Sequence, residues 1–256
     1  MTRKEFFIQI CDYLHDFSPL NEFKFSASRN EFRLRFPGGW QLLNMAPTFW
    51  SFLDVFDISP YFDIRFDVAQ RWFEKYELNI VIDKGDGKGK CDLRGSIDVR
   101  DVRAYGMLHY DDSPTVFGRV RYEIDPNLFT QQNLLLFQEM ILGNTSAMME
   151  KCHSLTSFFE NFVLPIIEGK KVMGIEGCMH SLFYYSAVCR IVAPELFSQW
   201  MEKIEKTKTL LSEQIQTKLP LDLYWFYYAE KYDEIMDYLV HYDFSKELAK
   251  LAPDRR

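Results

Sequence analysis

The side chains best suited to catalysis are His109, Asp111 and Asp112, which lie close together in the sequence. They provide an imidazole and two carboxylates in a predicted loop, and loops on a rigid scaffold often carry functional groups. The same stretch, Asp-Asp-Ser-Pro, is also ordinary turn sequence, in which Asp side chains accept hydrogen bonds from nearby backbone. We favour the turn. If these residues are functional instead, the alternative is an enzyme or small-ligand-binding protein that uses a cleft between sheet and helices.

A glycine-rich stretch from Gly85 to Lys90 does not match a phosphate-binding loop. A P-loop has four residues between its first Gly and the Gly-Lys pair, and Ser or Thr follows. Here only three residues separate Gly85 from Gly89, and Cys91 follows Lys90. The stretch is more typical of a flexible hairpin tip, so we predict no cofactor.

Cysteine and histidine are too dispersed to predict a metal site. Cys152 and His153 are neighbours, while Cys178 and His180 are two positions apart. Side chains at these spacings diverge on a helix, and zinc requires further ligands that the sequence does not offer at metal spacing. The five cysteines include no C-x-x-C pair and no signal peptide is evident, which indicates reduced thiols in a cytoplasmic protein.

Arginine and tryptophan residues form the candidate binding surface. Arg33 and Arg35 alternate with apolar residues, as Arg65 does further along, so we expect all three on the polar faces of strands. Trp40 and Trp50 lie near the first two in the sequence. A solvated face is the default interpretation of such a pattern. Because Arg and Trp dominate the energetics of protein interfaces, these five residues also predict a protein-binding surface.

The segment Phe32 to Trp50 must position most of these residues. Its alternating first part predicts a strand, residues 37–39 (Pro-Gly-Gly) supply turn chemistry, and 40–43 predict the returning strand. A two-stranded hairpin is only marginally stable alone, so its apolar face must pack against the rest of the chain. Near the N-terminus, Thr2 and Glu5 predict a capping box that begins a helix.

The chain is predicted to be α+β. Residues 1–125 read as an antiparallel sheet with flanking helices, including an alternating strand at 61–66, and residues 126–256 read as all-helical. The predicted helices lie near 128–142, 155–168, 177–192, 195–215, 221–229 and 232–241. No Gly/Ser-rich or charged linker separates the two parts, so we expect them to pack as one unit with Trp225 and Phe226 largely buried.

Composition and charge narrow the classes of partner. The 256 residues are 47% hydrophobic and 16% aromatic, which predicts a core rich in phenylalanine. A net charge of −7 without a stripe of Lys and Arg disfavours nucleic acid and acidic membrane surfaces. No stretch approaches the ~18 apolar residues of a membrane span. We predict a protein partner, and the sequence leaves homo-oligomerisation open.

The order of features over residues 1–80 resembles that of small intracellular bacterial proteins of unassigned function. The resemblance lies in a capped helix, F-x-F at 23–25, F-R-L-R-F-P-G-G-W at 32–40, and a strand at 61–66 leading into a helix. Some members of that group look like immunity proteins, which neutralise a toxin by binding it. The resemblance implies an acidic, non-catalytic binder and assigns no residue a role. We therefore expect a cytosolic protein-interaction module.

Overall fold

The computed structural model describes residues 1–49, 54–76, 122–170, 179–205 and 230–256. Within them the chain is α+β, as the sequence predicts. The strands are β1 (Lys24–Ser26), β2 (Glu31–Phe36), β3 (Gly39–Asn44), β4 (Pro47–Phe49), β5 (Phe56–Ile58), β6 (Tyr61–Phe66) and β7 (Tyr122–Ile124). The α-helices are α1 (Arg3–His15), α2 (Asp67–Arg71), α3 (Gln131–Lys151), α4 (Leu155–Phe158), α5 (Leu164–Ile167), α6 (Met179–Val192), α7 (197–205), α8 (Tyr232–His241) and α9 (Ser245–Leu248).

The described residues form two compact units, and the boundary between them falls within β6. The first unit holds 1–49, 54–64 and 122–152, and the second holds 65–76, 153–170, 179–205 and 230–256. The helix α3 belongs to the first unit, although it follows the division at residue 125 that the sequence suggested. That division, and the packing of its two parts as one unit, stay predictions.

Helix α1 begins with the predicted capping box. The backbone N–H of Glu5 donates to the Thr2 hydroxyl oxygen at 3.2 Å, and the Thr2 N–H donates to the Glu5 carboxylate at 2.6 Å. Two N–H groups that the helix leaves without an internal acceptor are thereby satisfied. The helix then buries one face, which carries Phe7, Ile10, Cys11 and Leu14.

Strands β1, β2, β3 and β6 form one sheet in that order. The predicted hairpin is present, since β2 and β3 pair antiparallel with Phe36 opposite Gly39 next to the turn. Gly38 has a φ of 83°, a left-handed conformation that glycine adopts without steric cost. One side of the hairpin buries Phe32 and Leu43, so the predicted alternation places apolar residues in the core.

A second sheet joins β4, β5 and β7 in that order. The sequence analysis missed β4 and β5, because each has three residues and offers too short a pattern to detect. Aromatic packing supports this sheet: the Phe56 ring lies 6.4 Å from Phe6, 6.2 Å from Phe7 and 5.4 Å from Phe49. Such ring pairs each contribute about 0.5–1.5 kcal/mol beyond simple area burial.

Helix α3 is longer than the predicted helix at 128–142. Its N-terminus has a capping box between Thr130 and Asn133, and it continues to Lys151. The predicted end at 142 is wrong: the helix continues through Gly143, although a glycine costs about 1 kcal/mol in a helix interior. The buried stripe runs past that glycine, and this tertiary packing outweighs the local preference. It comprises Phe137, Ile141, Thr145 and Met148.

The second unit has an aromatic core around Phe158. Its ring centroid lies 6.4 Å from that of Phe66 and 5.6 Å from that of Tyr184, and the Phe66 N–H donates to the Tyr184 hydroxyl at 2.9 Å. The predicted helix at 155–168 is present but includes a π-helical turn between α4 and α5. Pro165 lies two residues after the end of this turn, and it has no N–H to donate to the preceding turn of an α-helix.

A buried polar chain joins α6 to α7. The indole N–H of Trp200 donates to the Ser186 hydroxyl at 2.8 Å, and that hydroxyl donates to the Leu182 carbonyl at 2.7 Å. Because Trp200 is fully buried, this bond removes the cost of an unsatisfied indole N–H. It also fixes α7, whose described residues confirm the start of the helix predicted at 195–215.

Candidate protein-binding face

The register of the hairpin brings three of the predicted binding residues together. Arg33 and Arg35 are two apart on β2, so their side chains leave the same face of the sheet. Arg35 lies directly opposite Trp40 on β3, and residues paired across strands share a face. The structure therefore places Arg33, Arg35 and Trp40 on one face of the hairpin, which also carries the buried Leu42 opposite Arg33, while Phe32 and Leu43 lie on the other face.

Arg33 is held in place by an aromatic ring and a carboxylate. Its guanidinium carbon lies 5.1 Å from the centroid of the Trp40 ring, within the range of a cation–π interaction. A guanidinium nitrogen lies 3.0 Å from the Glu31 carboxylate. The side chains of Arg33 and Glu31 are only 15% and 7% exposed, so this pair is shielded from solvent more than an ordinary surface pair.

Two further cations border this pair. Lys24 on β1 lies directly opposite Arg33, and it is exposed. Arg29, in the turn between β1 and β2, lies 3.7 Å from the Glu31 carboxylate with 66% of its side chain exposed. We define the hairpin face as Lys24, Arg29, Arg33, Arg35 and Trp40. Glu31 lies on the same side of the sheet but is buried.

Lys24 and Arg35 differ from the other cations of the hairpin face in their partners. Both are exposed, and neither forms an ion pair or side-chain hydrogen bond with any residue in the described part of the chain. Glu31, by contrast, already lies near both Arg33 and Arg29. The hairpin face thus combines Trp40, two arginines near the Glu31 carboxylate (Arg29 and Arg33), and two exposed cations without such a carboxylate in the described part of the chain (Lys24 and Arg35).

Sequence reasoning did not find Lys24, Arg29 or Glu31. Lys24 becomes a neighbour of Arg33 only through the β1–β2 register, which the sequence alone does not fix. Glu31 precedes Arg33 by two residues and therefore shares its face, so the same alternation that singled out Arg33 contains its counter-ion. That signal was available in the sequence.

Arg65 is engaged with acidic residues of its own unit. Its Nε lies 2.7 Å from an oxygen of Asp67, and a terminal nitrogen lies 3.6 Å from Glu74. Asp67 also pairs with Arg71 at 3.3 Å, one helical turn further on. Arg65 is therefore part of a local ion cluster in the second unit, and no partner among the described residues links it to the hairpin face.

The other predicted residues lie outside the described part of the chain. They are Trp50, the alternative catalytic residues His109, Asp111 and Asp112, the stretch from Gly85 to Lys90, and the aromatic residues Trp225 and Phe226. Their predicted roles stay predictions.

The described cysteines are free thiols in apolar surroundings. Burial raises the pKa of Cys11 and of Cys152 far above the ordinary thiol value, and it raises the pKa of Cys189 to about 12. The reactive form of a cysteine is the thiolate, which is scarce at neutral pH under these conditions. Cys152 beside His153 is therefore suited to packing and unsuited to nucleophilic catalysis.

Comparisons of the chain with protein-family models, with curated proteins and with solved structures find no match. Among the described residues, no helix has both the length and the apolar character to cross a membrane. The same residues contain no group of His, Cys, Asp and Glu side chains arranged to hold a metal ion. Support for a protein-binding role therefore comes from the geometry of the hairpin face.

Proposed function

We propose that this chain is a cytosolic, non-catalytic protein-interaction module that binds another protein through its hairpin face. One observation carries the proposal: the guanidinium of Arg33 is fixed over the Trp40 ring by the shielded carboxylate of Glu31, beside the exposed Arg35. Trp and Arg are the residue types most often found at the energetic centre of a protein interface.

The rigidity of this arrangement favours binding. A partner that docks on a mobile arginine must order it, which costs about 0.5–1.5 kcal/mol for a side chain with many rotamers. For Arg33 that ordering is already achieved by Glu31 and Trp40. The hairpin itself is held by six paired positions between β2 and β3, so the face is presented on a regular element instead of a loop.

The finer proposal is that the module is of immunity type. It rests on the resemblance of residues 1–80 to small bacterial proteins of unassigned function, some of which look like immunity proteins, and on the acidic charge of the chain, −7. An immunity protein acts by covering a toxin, so it needs a stable binding face and no catalytic group.

Affinity capture with matched variants tests the proposal. The tagged chain is incubated with lysate of its native host, in parallel with Trp40→Ala, Arg35→Glu and the control Lys4→Glu. Lys4 is an exposed cation on α1, outside the hairpin face, so its reversal matches Arg35→Glu in charge. Circular dichroism melting confirms that each variant is folded.

We expect one protein to co-purify in stoichiometric amounts with the native chain and with Lys4→Glu, and to be lost with the other two variants. Absence of any stoichiometric partner would contradict the proposed function. A partner retained equally by all variants would show that the binding site lies outside the hairpin face. For the immunity type, the captured protein alone should arrest growth of a host cell, and co-expression of this chain should restore it. A harmless partner would contradict the immunity type and leave the binding module.

A further inference from the structure

The charge of the hairpin face is opposite to that of the chain as a whole. Four cationic side chains lie on it or at its edge, and Glu31 is the carboxylate that the structure places among them. The complete chain has 37 acidic and 30 basic residues and a net charge of −7. A positive face on an acidic protein attracts a different partner from the one that the net charge alone suggests.

The two unneutralised cations have a defined spacing. Lys24 lies opposite Arg33, and Arg35 is two residues further along β2 on the same face. Diagonal neighbours of this kind have Cβ atoms about 7–8 Å apart. That spacing matches two acidic side chains two positions apart on a strand, which are also about 7 Å apart.

The chemistry of these groups favours carboxylates on a protein. An arginine fork binds a carboxylate through two parallel hydrogen bonds, and Trp40 adds an apolar surface that a peptide side chain can cover. A nucleic acid suits the face less well, because affinity for a polyphosphate comes from many phosphate contacts and is opposed here by the net negative charge.

The edge of the sheet nearest to β2 is poorly suited to strand addition. This edge is β1, a strand of three residues that carries an exposed lysine. Short edge strands with Lys discourage pairing with another strand. Lys24 still projects from the same side as Arg33, so it contributes its charge to the hairpin face.

From these observations we infer that the partner presents an acidic protein surface, with paired carboxylates that bind Lys24 and Arg35 while an apolar side chain covers Trp40. This inference rests on the proposed function and adds the chemical class of the partner.

The test uses poly-L-glutamate as the acidic probe and the full-length chain. Binding is measured by thermophoresis at low and at physiological salt, with an oligothymidylate and poly-L-lysine as comparison probes. The test variant is Lys24→Glu with Arg35→Glu. The control is Lys4→Glu with Lys250→Glu, which reverses two exposed lysines elsewhere and gives the same net charge.

We expect the native chain and the control variant to bind poly-L-glutamate, and the test variant to bind it at least about tenfold more weakly. Physiological salt should weaken the interaction, since exposed charges are screened. Equal weakening by both variants would overturn the inference, because net charge alone would then explain the binding. Absence of binding at low salt would also overturn it, and tighter binding of oligothymidylate through the same residues would assign the face to nucleic acid.

The outcome is separable from that of the proposed function. A host protein captured through Trp40 whose affinity is unchanged by salt and by the test variant would sustain the binding module and contradict the acidic partner. Binding of poly-L-glutamate without any stoichiometric host partner would contradict the binding module and leave a cationic face without a protein partner.

Discussion

Two arginines with the same sequence signature have different surroundings. Arg33 on β2 and Arg65 on β6 each alternate with apolar residues, yet Arg33 shares the carboxylate of Glu31 with Arg29, whereas Arg65 is paired with both Asp67 and Glu74. In the hairpin, cations outnumber acids. In the β6–α2 cluster, acids match cations. Alternation therefore predicts the face on which a side chain lies, and the neighbours decide whether its charge is available.

The element that follows each arginine explains the difference. β2 continues into a turn made of Pro37 and glycines, which supply no carboxylate. β6 is followed at once by α2, whose first residue is Asp67. An acidic residue at a helix N-terminus is stabilised by the helix dipole, so Asp67 serves both the helix and Arg65. The ion pair with Asp67 consequently ties the side chain of Arg65 to the first residue of α2.

The largest expected effect compares the two counter-ions. Glu31→Ala leaves the shielded Arg33 without its carboxylate, and we expect it to lower the free energy of unfolding by about 2 kcal/mol. Asp67 is 26% exposed, so Asp67→Ala should cost no more than about 1 kcal/mol. Urea denaturation of both variants measures the difference. Equal losses would show that the two arginines are held in equivalent ways.

The next effect concerns the two predicted roles of Trp40, in binding a partner and in stabilising the fold. Trp40→Ala should weaken binding of the captured partner by about thirty-fold, the loss typical of a central interface residue. Its loss in stability should be smaller, about 1 kcal/mol, since the ring is only half-buried. Thermophoresis with the purified partner gives the first value and urea denaturation the second. A large loss of stability with unchanged affinity would assign Trp40 to folding alone.

A pair of arginine substitutions should give opposite outcomes. Arg35→Ala should change the free energy of unfolding by no more than about 0.5 kcal/mol, because Arg35 is exposed and forms no ion pair with any described residue. It should nevertheless reduce binding. Arg65→Ala should leave binding intact and cost up to about 1 kcal/mol, because two ion pairs are lost. If Arg65→Ala reduced binding as much as Arg35→Ala, Arg65 would belong to the binding surface as the sequence first suggested.

Local signals in the sequence were sufficient for several elements. The Thr2 capping box and the turn at Gly38 are each determined by a few neighbouring residues, and each is present. The short strands β4 and β5 were missed because three residues are too few to show an alternating pattern. Helix α3 ends later than predicted, at Lys151, because its buried residues continue to Met148 and tertiary packing extends the helix past Gly143.

The candidate site was predictable only in part for the same reason. The position of Arg33 on a polar face follows from alternation, which is local. Its neighbour Lys24 follows from the register between β1 and β2, which depends on how the sheet assembles. The fate of Arg65 depended on two acidic residues in the next helical segment, and their approach to it is set by the tertiary fold.

The smallest expected effect concerns the urea concentrations at which the two units that hold these arginines unfold, which we expect to coincide. Cys11 lies in the first unit and Cys189 in the second, and both thiols are fully buried. Because burial raises the pKa of Cys189 to about 12 and that of Cys11 also well above its ordinary value, alkylation near pH 8 requires local or global opening. One passage of the chain from the first unit to the second lies inside β6, where a continuous strand takes the place of a flexible linker. We therefore expect both cysteines to become reactive over the same range of urea concentration, as followed by alkylation and peptide mapping by mass spectrometry. Labelling of Cys189 well below the concentration that exposes Cys11 would show two independently unfolding units, and the stability losses predicted for Glu31→Ala and Asp67→Ala would then belong to separate transitions.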